Sequence, residues 1–122
     1  MSLHKVVLCD EMIKLRNMLD AREITWNDQS TIVSEERLNQ LVQGGFPLEY
    51  CDTSVYRTHF VMLGIQFSVI NGYSTYGGYS PSRDKNDGLL ELAVLNGGDK
   101  VYGYMTAQDV FDKINEIMEG QC

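Results

Sequence analysis

Ser54-Val55-Tyr56-Arg57-Thr58-His59-Phe60-Val61-Met62-Leu63-Gly64-Ile65-Gln66-Phe67-Ser68-Val69-Ile70, residues 54–70, carries the clearest pattern in the chain. Its period is two. Tyr56, Thr58, Phe60 and Met62 fall on one side, and Val55, Arg57, His59 and Val61 on the other. Leu63-Gly64 turns the chain, and Ile65, Phe67 and Val69 resume the alternation. Residues 89–95 and Val101-Tyr102-Gly103-Tyr104-Met105 read as two further strands around the turn Asn96-Gly97-Gly98-Asp99. Four antiparallel strands with one apolar face need a covering layer.

Helical periods supply that layer. Leu8, Met12, Leu15 and Leu19 form one apolar stripe and predict a helix over residues 5–20. Ser34 precedes Glu35 and Glu36, an N-cap followed by acids at the positive end of the dipole. Leu38, Leu41 and Val42 give that second helix its apolar face, and Gly44-Gly45 and Pro47 end it. Thr106-Ala107-Gln108-Asp109 has capping-box spacing. It opens a third helix with Val110, Phe111, Ile114, Ile117 and Met118 inward and Gly120 as its stop. Ile24-Thr25-Trp26 and Thr31-Ile32-Val33 flank a polar cluster and predict a small hairpin. The expectation is a single α+β domain over residues 1–122. An antiparallel sheet of four strands or more packs against N- and C-terminal helices.

The 122 residues fit one core, and 43% hydrophobic content is enough to fold by burial. A formal net charge of -7 argues against DNA, RNA or an anionic membrane as partner. It does not exclude a small anion, because salt screens distant acids beyond about 8–10 Å. The opening residues do not read as a secretory signal, and no apolar run approaches a membrane span. Cys9, Cys51 and Cys122 make no C-x-x-C pair, which places the chain in a reducing cytosol.

Residues 71–88, Asn-Gly-Tyr-Ser-Thr-Tyr-Gly-Gly-Tyr-Ser-Pro-Ser-Arg-Asp-Lys-Asn-Asp-Gly, break the periodicity. A connection this long is usually functional or disordered. It holds Tyr73, Tyr76 and Tyr79, which offer ring faces and hydroxyls, and Arg83, a planar fork for phosphate. Gly77 and Gly78 let backbone N–H groups approach an anion. These residue types suit a nucleotide, although a surface loop or a tyrosine-rich oligomer contact would share the composition. The spacing matches neither the P-loop nor the dinucleotide fingerprint. Arg57 shares a strand face with His59 and needs an anionic partner if covered, whether a ligand or Glu91. Trp26 reads as a core anchor or a stacking surface.

Catalytic equipment is sparse. Cys51 with His59 is the only nucleophile–base pairing, and a plain loop or core thiol explains Cys51 as well. No cluster has metal-ligand spacing, and no cofactor is expected. Asp84 and Asp87 lack the rest of a calcium loop.

Several segments together resemble a family. They are Tyr56-Arg57-Thr58-His59-Phe60, the run from Phe67 through Ile70-Asn71-Gly72 to Gly77-Gly78-Tyr79, Asn86-Asp87-Gly88-Leu89-Leu90-Glu91, and Gly103-Tyr104-Met105-Thr106-Ala107-Gln108-Asp109-Val110. Leu15-Arg16-Asn17-Met18-Leu19 and Ile24-Thr25-Trp26 fit as well. The chain resembles the phage and prophage Thoeris anti-defence sponges of the first-described type. The resemblance implies a non-enzymatic protein of the host cytosol that sequesters a cyclic ADP-ribose isomer made by a TIR-domain enzyme. It also implies a homo-oligomer with ligand pockets between protomers, and for some members a second site for cyclic oligonucleotides. A hydrolase of the same signal and a module that inhibits a host protein are the competing functions.

With such a ligand in view, residue chemistry assigns base stacking to Tyr79, with Tyr73 or Tyr76 nearby. Phosphate falls to Arg57, Arg83 and the N–H groups of Gly77 and Gly78. Asn86 and Thr106 are candidates for ribose or base hydrogen bonds.

Overall fold

The 54–70 alternation forms two strands, β2 (Val55–Met62) and β3 (Ile65–Gly72), paired antiparallel with Phe60 opposite Phe67. The computed structural model describes residues 3–96 and 100–120. Leu63 and Gly64 have φ of 49° and 81°, the left-handed pair that a tight hairpin turn requires. The other elements are α1 (Asp10–Ala21), β1 (Trp26–Asp28), α2 (Glu35–Gln43), β4 (Tyr79–Ser80), β5 (Lys85–Asn86), β6 (Leu90–Val94), β7 (Val101–Met105) and α3 (Ala107–Glu119). One sheet has the order β1-β2-β3-β6-β7, antiparallel throughout, and β4-β5 forms a separate small ribbon. The architecture is the expected α+β domain, with helices at both ends of the chain and five strands in the main sheet.

One face of that sheet is the core. Phe60, Phe67, Val69, Leu90, Leu92 and Val94 meet Met12, Leu15 and Leu19 of α1 and Val110, Phe111 and Ile114 of α3, all buried. The Phe60 and Phe67 rings stack with centroids 5.5 Å apart. Burying each ring stabilises the fold by about 2–3 kcal/mol. Thr106 accepts from the Asp109 N–H while Asp109 accepts from the Thr106 N–H, the reciprocal cap that the spacing predicts. Ser34 caps α2 through the Arg37 N–H.

Three expectations change. First, α1 begins at Asp10, not near residue 5. The buried Asp52 carboxylate accepts the N–H groups of Lys5 and Val6 at 2.8 and 2.9 Å, and that holds the preceding residues extended. Second, the runs around residues 27–30 do not pair with each other. Trp26 sits opposite Phe60, and Thr31 bridges Val55, so both lie along β2. Ser30 Oγ accepts the Arg57 N–H at 2.9 Å between them. Third, residues 71–88 are not a bare connection, because they contain β4 and β5. The expected turn at 96–99 extends into residues 97–99, outside the described residues.

Trp26 is a half-buried rim of the core. Its indole N–H donates to Asp20 at 2.9 Å and Arg16 lies 4.7 Å over its ring. Among the described residues no helix is long and apolar enough to cross a membrane.

Candidate functional site

The excursion between β3 and β6 is folded by its own small polar groups. Thr75 Oγ1 accepts the Gly72 N–H and donates to the Gly72 carbonyl, both at 3.0 Å. The Ser74 N–H reaches the Tyr79 carbonyl at 2.8 Å, and the Gly78 N–H reaches the Thr75 carbonyl at 3.0 Å. Asn71 and Asn86 exchange side-chain amide bonds at 3.1 and 2.9 Å, which clasps β5 to the end of β3. The result is a concave surface of about 530 Å³, within the size range of small-molecule sites. Its walls are mainly Ser74, Thr75, Gly77, Gly78, Tyr79 and Ser80 on one side and Ser82, Arg83, Asp87 and Tyr104 on the other.

The charge inside is compensated. Arg83 forks onto Asp87, with Nη2 to Oδ2 at 3.0 Å. This pair holds the Asp87 carboxyl below the usual carboxylate range. It also raises the Arg83 guanidinium further, with a smaller contribution from Tyr104. The cavity wall therefore presents a planar cation paired with an internal carboxylate. Such a group can exchange one acid for another without a new charge being buried alone.

The floor is latched to the N-terminus. Buried Tyr79 donates its hydroxyl to Asp84, which also receives Lys5 Nζ at 3.3 Å. Burial, and then Asp84, pushes the Tyr79 phenol above its ordinary value of 10.0. The Tyr79 hydroxyl, and then Lys5, holds Asp84 below its ordinary 3.8. Asp84 thus stabilises the latch above its unfolded value, and this stability is lost as pH falls through the lower folded value. Tyr79 contributes fully below pH 10 and loses its contribution as pH rises toward its folded value. Tyr79→Phe should lower stability at pH 7 by about 1–2 kcal/mol. The gap to the parent protein should shrink above pH 10, as read by urea melts at both pH values.

The structure brings four of the expected residues together: Gly77, Gly78, Tyr79 and Arg83 all line the cavity. Their roles shift in part. The Tyr79 ring is buried and its hydroxyl committed, so it is a wall and offers no face for stacking. The Gly78 N–H is spent on Thr75, which leaves Gly77 as the glycine N–H without a backbone acceptor among the described residues. Tyr76 adjoins the mouth, with its ring centroid 6.4 Å from that of Tyr104. Tyr73 bridges to Tyr79 and is not among the lining residues.

Three expected residues lie elsewhere. Asn86 accepts from Asn71 and the Gly88 N–H, so its amide serves the clasp. Thr106 spends its oxygen on the α3 cap. Arg57 stands exposed on the uncovered face of the sheet, away from the cavity lining. Its side chain makes no hydrogen bond or ion pair among the described residues, and Glu91 instead accepts the Tyr76 N–H at 2.9 Å. Cys51 and His59 are not a pair either: the Cys51 thiol donates to the Pro47 carbonyl at 3.3 Å. Sequence reasoning missed Asp87 and Tyr104 as site residues. An arginine four positions before an acid pointed to Asp87, whereas nothing local pointed to Tyr104.

No family model, curated protein or solved structure matches the chain.

Proposed function

We propose that this protein sequesters a phosphorylated purine of the cyclic ADP-ribose class and releases it unchanged, as in the family its sequence resembles. The observation that carries this reading is the polar cavity of about 530 Å³ with Arg83 in its wall. The serines and the Gly77 N–H, which has no backbone acceptor among the described residues, supply neutral hydrogen-bonding groups suited to ribose hydroxyls and phosphate oxygens. Arg83 supplies the fork for a diphosphate.

The lining favours binding over cleavage. It contains no histidine, cysteine or lysine, and its one carboxylate is held by Arg83. A serine there has no adjacent base to activate it. Incubation with a glycocyclic ADP-ribose, denaturation and chromatography of the supernatant separate the two outcomes. Intact ligand in stoichiometric amount is expected, and linear ADP-ribose would identify a hydrolase.

The sponge acts in the host cytosol as a homo-oligomer. The uncovered sheet face supports that assembly, since Val61 and Val101 are about half exposed there.

Asp87 competes with the ligand for Arg83. Asp87→Asn should therefore tighten pyrophosphate binding about twofold to fivefold, the range of an exposed ion pair. Isothermal titration at low salt checks the direction.

A further inference from the structure

Tyr104 has φ of +55°, a conformation that side-chain-bearing residues seldom adopt in a strand. The register of β6 against β7 slips between Leu90 and Leu92, so Tyr104 lies beside an irregularity of the kind that re-aims a side chain. Its N–H donates to the Tyr76 carbonyl at 3.2 Å. Tyr76 is fixed in turn by Glu91, and it packs so closely on Gly103 that a Cβ there would lie 2.4 Å from the Tyr76 Cβ. The register slip, the two backbone hydrogen bonds of Tyr76 and the close approach at Gly103 thus converge on holding two tyrosine rings side by side.

Those rings do not serve the core. Both residues are 59% exposed, and neither belongs to the hydrophobic cluster. Tyr104 lines the same cavity as Arg83. A strained residue that keeps an aromatic surface in water, beside an arginine in a concave wall, has the geometry of a stacking platform.

We infer that Tyr104, supported by Tyr76 and Gly103, is the base-stacking residue of the site, with the phosphates of the same ligand on Arg83. This rests on the nucleotide-binding reading and deepens it. The ring face sought in Tyr79 is supplied by a residue on the far strand. A purine is favoured over a pyrimidine because its larger ring covers more of the tyrosine pair.

The test compares ADP-ribose, which has the base, with inorganic pyrophosphate, which lacks it, on the parent protein and on Tyr104→Ala and Tyr104→Phe. Tyr104→Ala should weaken ADP-ribose about tenfold to a hundredfold. It should leave pyrophosphate within about twofold, because no stacked base is lost with that probe. Tyr104→Phe should keep affinity for both. Equal loss of both probes in Tyr104→Ala would overturn the inference, since Tyr104 would then act only on the shape of the cavity. Unchanged ADP-ribose affinity would overturn it as well, with the nucleotide reading intact. A parent protein that binds neither probe would overturn that reading and this inference together.

Discussion

Gly78→Ala should give a folded protein with no measurable affinity for cyclic ADP-ribose. A Cβ at Gly78 would lie 2.0 Å from Thr75 Oγ1, 2.4 Å from the Gly72 carbonyl oxygen and 2.8 Å from the Gly72 nitrogen. Two of these atoms are backbone and cannot swing aside. Thr75 cannot move without losing both of its bonds to Gly72. The start of β4 must therefore lift, which parts Ser74 from the Tyr79 carbonyl and opens one wall of the cavity. No residue of this turn belongs to the hydrophobic cluster between the sheet and the helices, so the core should survive. The expected cost is about 2–3 kcal/mol, an overpacking penalty. For a chain of this length that is on the order of 10 °C in melting temperature. Gly120→Ala, where the new Cβ would meet nothing nearer than 3.4 Å, is the matched control and should leave binding unchanged. Thermal melts and titration calorimetry on both variants check the prediction.

Arg83→Ala should weaken the same ligand by about tenfold to a hundredfold, the loss expected when a charge-assisted bidentate phosphate contact is removed from a half-exposed wall. Its cost in stability should be small. Arg83 is about half exposed and its partner Asp87 is also near the surface. A surface pair contributes about 0–1 kcal/mol. Arg57→Ala is the contrasting variant. Arg57 and Arg83 have identical chemistry, but only Arg83 lines the cavity. Loss of binding in Arg57→Ala with no loss in Arg83→Ala would place the ligand on the open sheet face.

The two arginines show where the sequence stops being informative. Period-two alternation assigns Arg57 to the face opposite Thr58 and Phe60, and the structure agrees. No local pattern says over which end of the sheet a long excursion folds, so the sequence gives no basis for preferring Arg83. The same holds for the edge strand. Residues around Trp26 and Thr31 alternate as strands do, but their partner is β2, about thirty residues away, and not each other. The first turn of the expected N-terminal helix is lost to Asp52, whose bond to the Lys5 N–H spans 47 positions.

Elements built from nearby residues were legible. The β2–β3 hairpin follows from alternation and one turn pair, and the α3 cap from three-residue spacing. The short strands β4 and β5 were hidden because two residues each cannot establish a period. Tyr104 was hidden for a different reason. Its backbone angle is set by a register slip and by the carbonyl of Tyr76, on an element almost thirty residues earlier. The excursion's own turns are local, but its aromatic surface at Tyr104 is placed by a distant contact, so the composition of the site could be read and that part of its geometry could not.

The most direct test of the central claim is amide hydrogen exchange, resolved by peptide, with and without a saturating cyclic ADP-ribose isomer. Ligand should slow exchange in residues 73–87 and around Tyr104, with little change on the open face near Arg57. Protection confined to that open face, or identical exchange in the two states, would contradict a ligand held in this cavity.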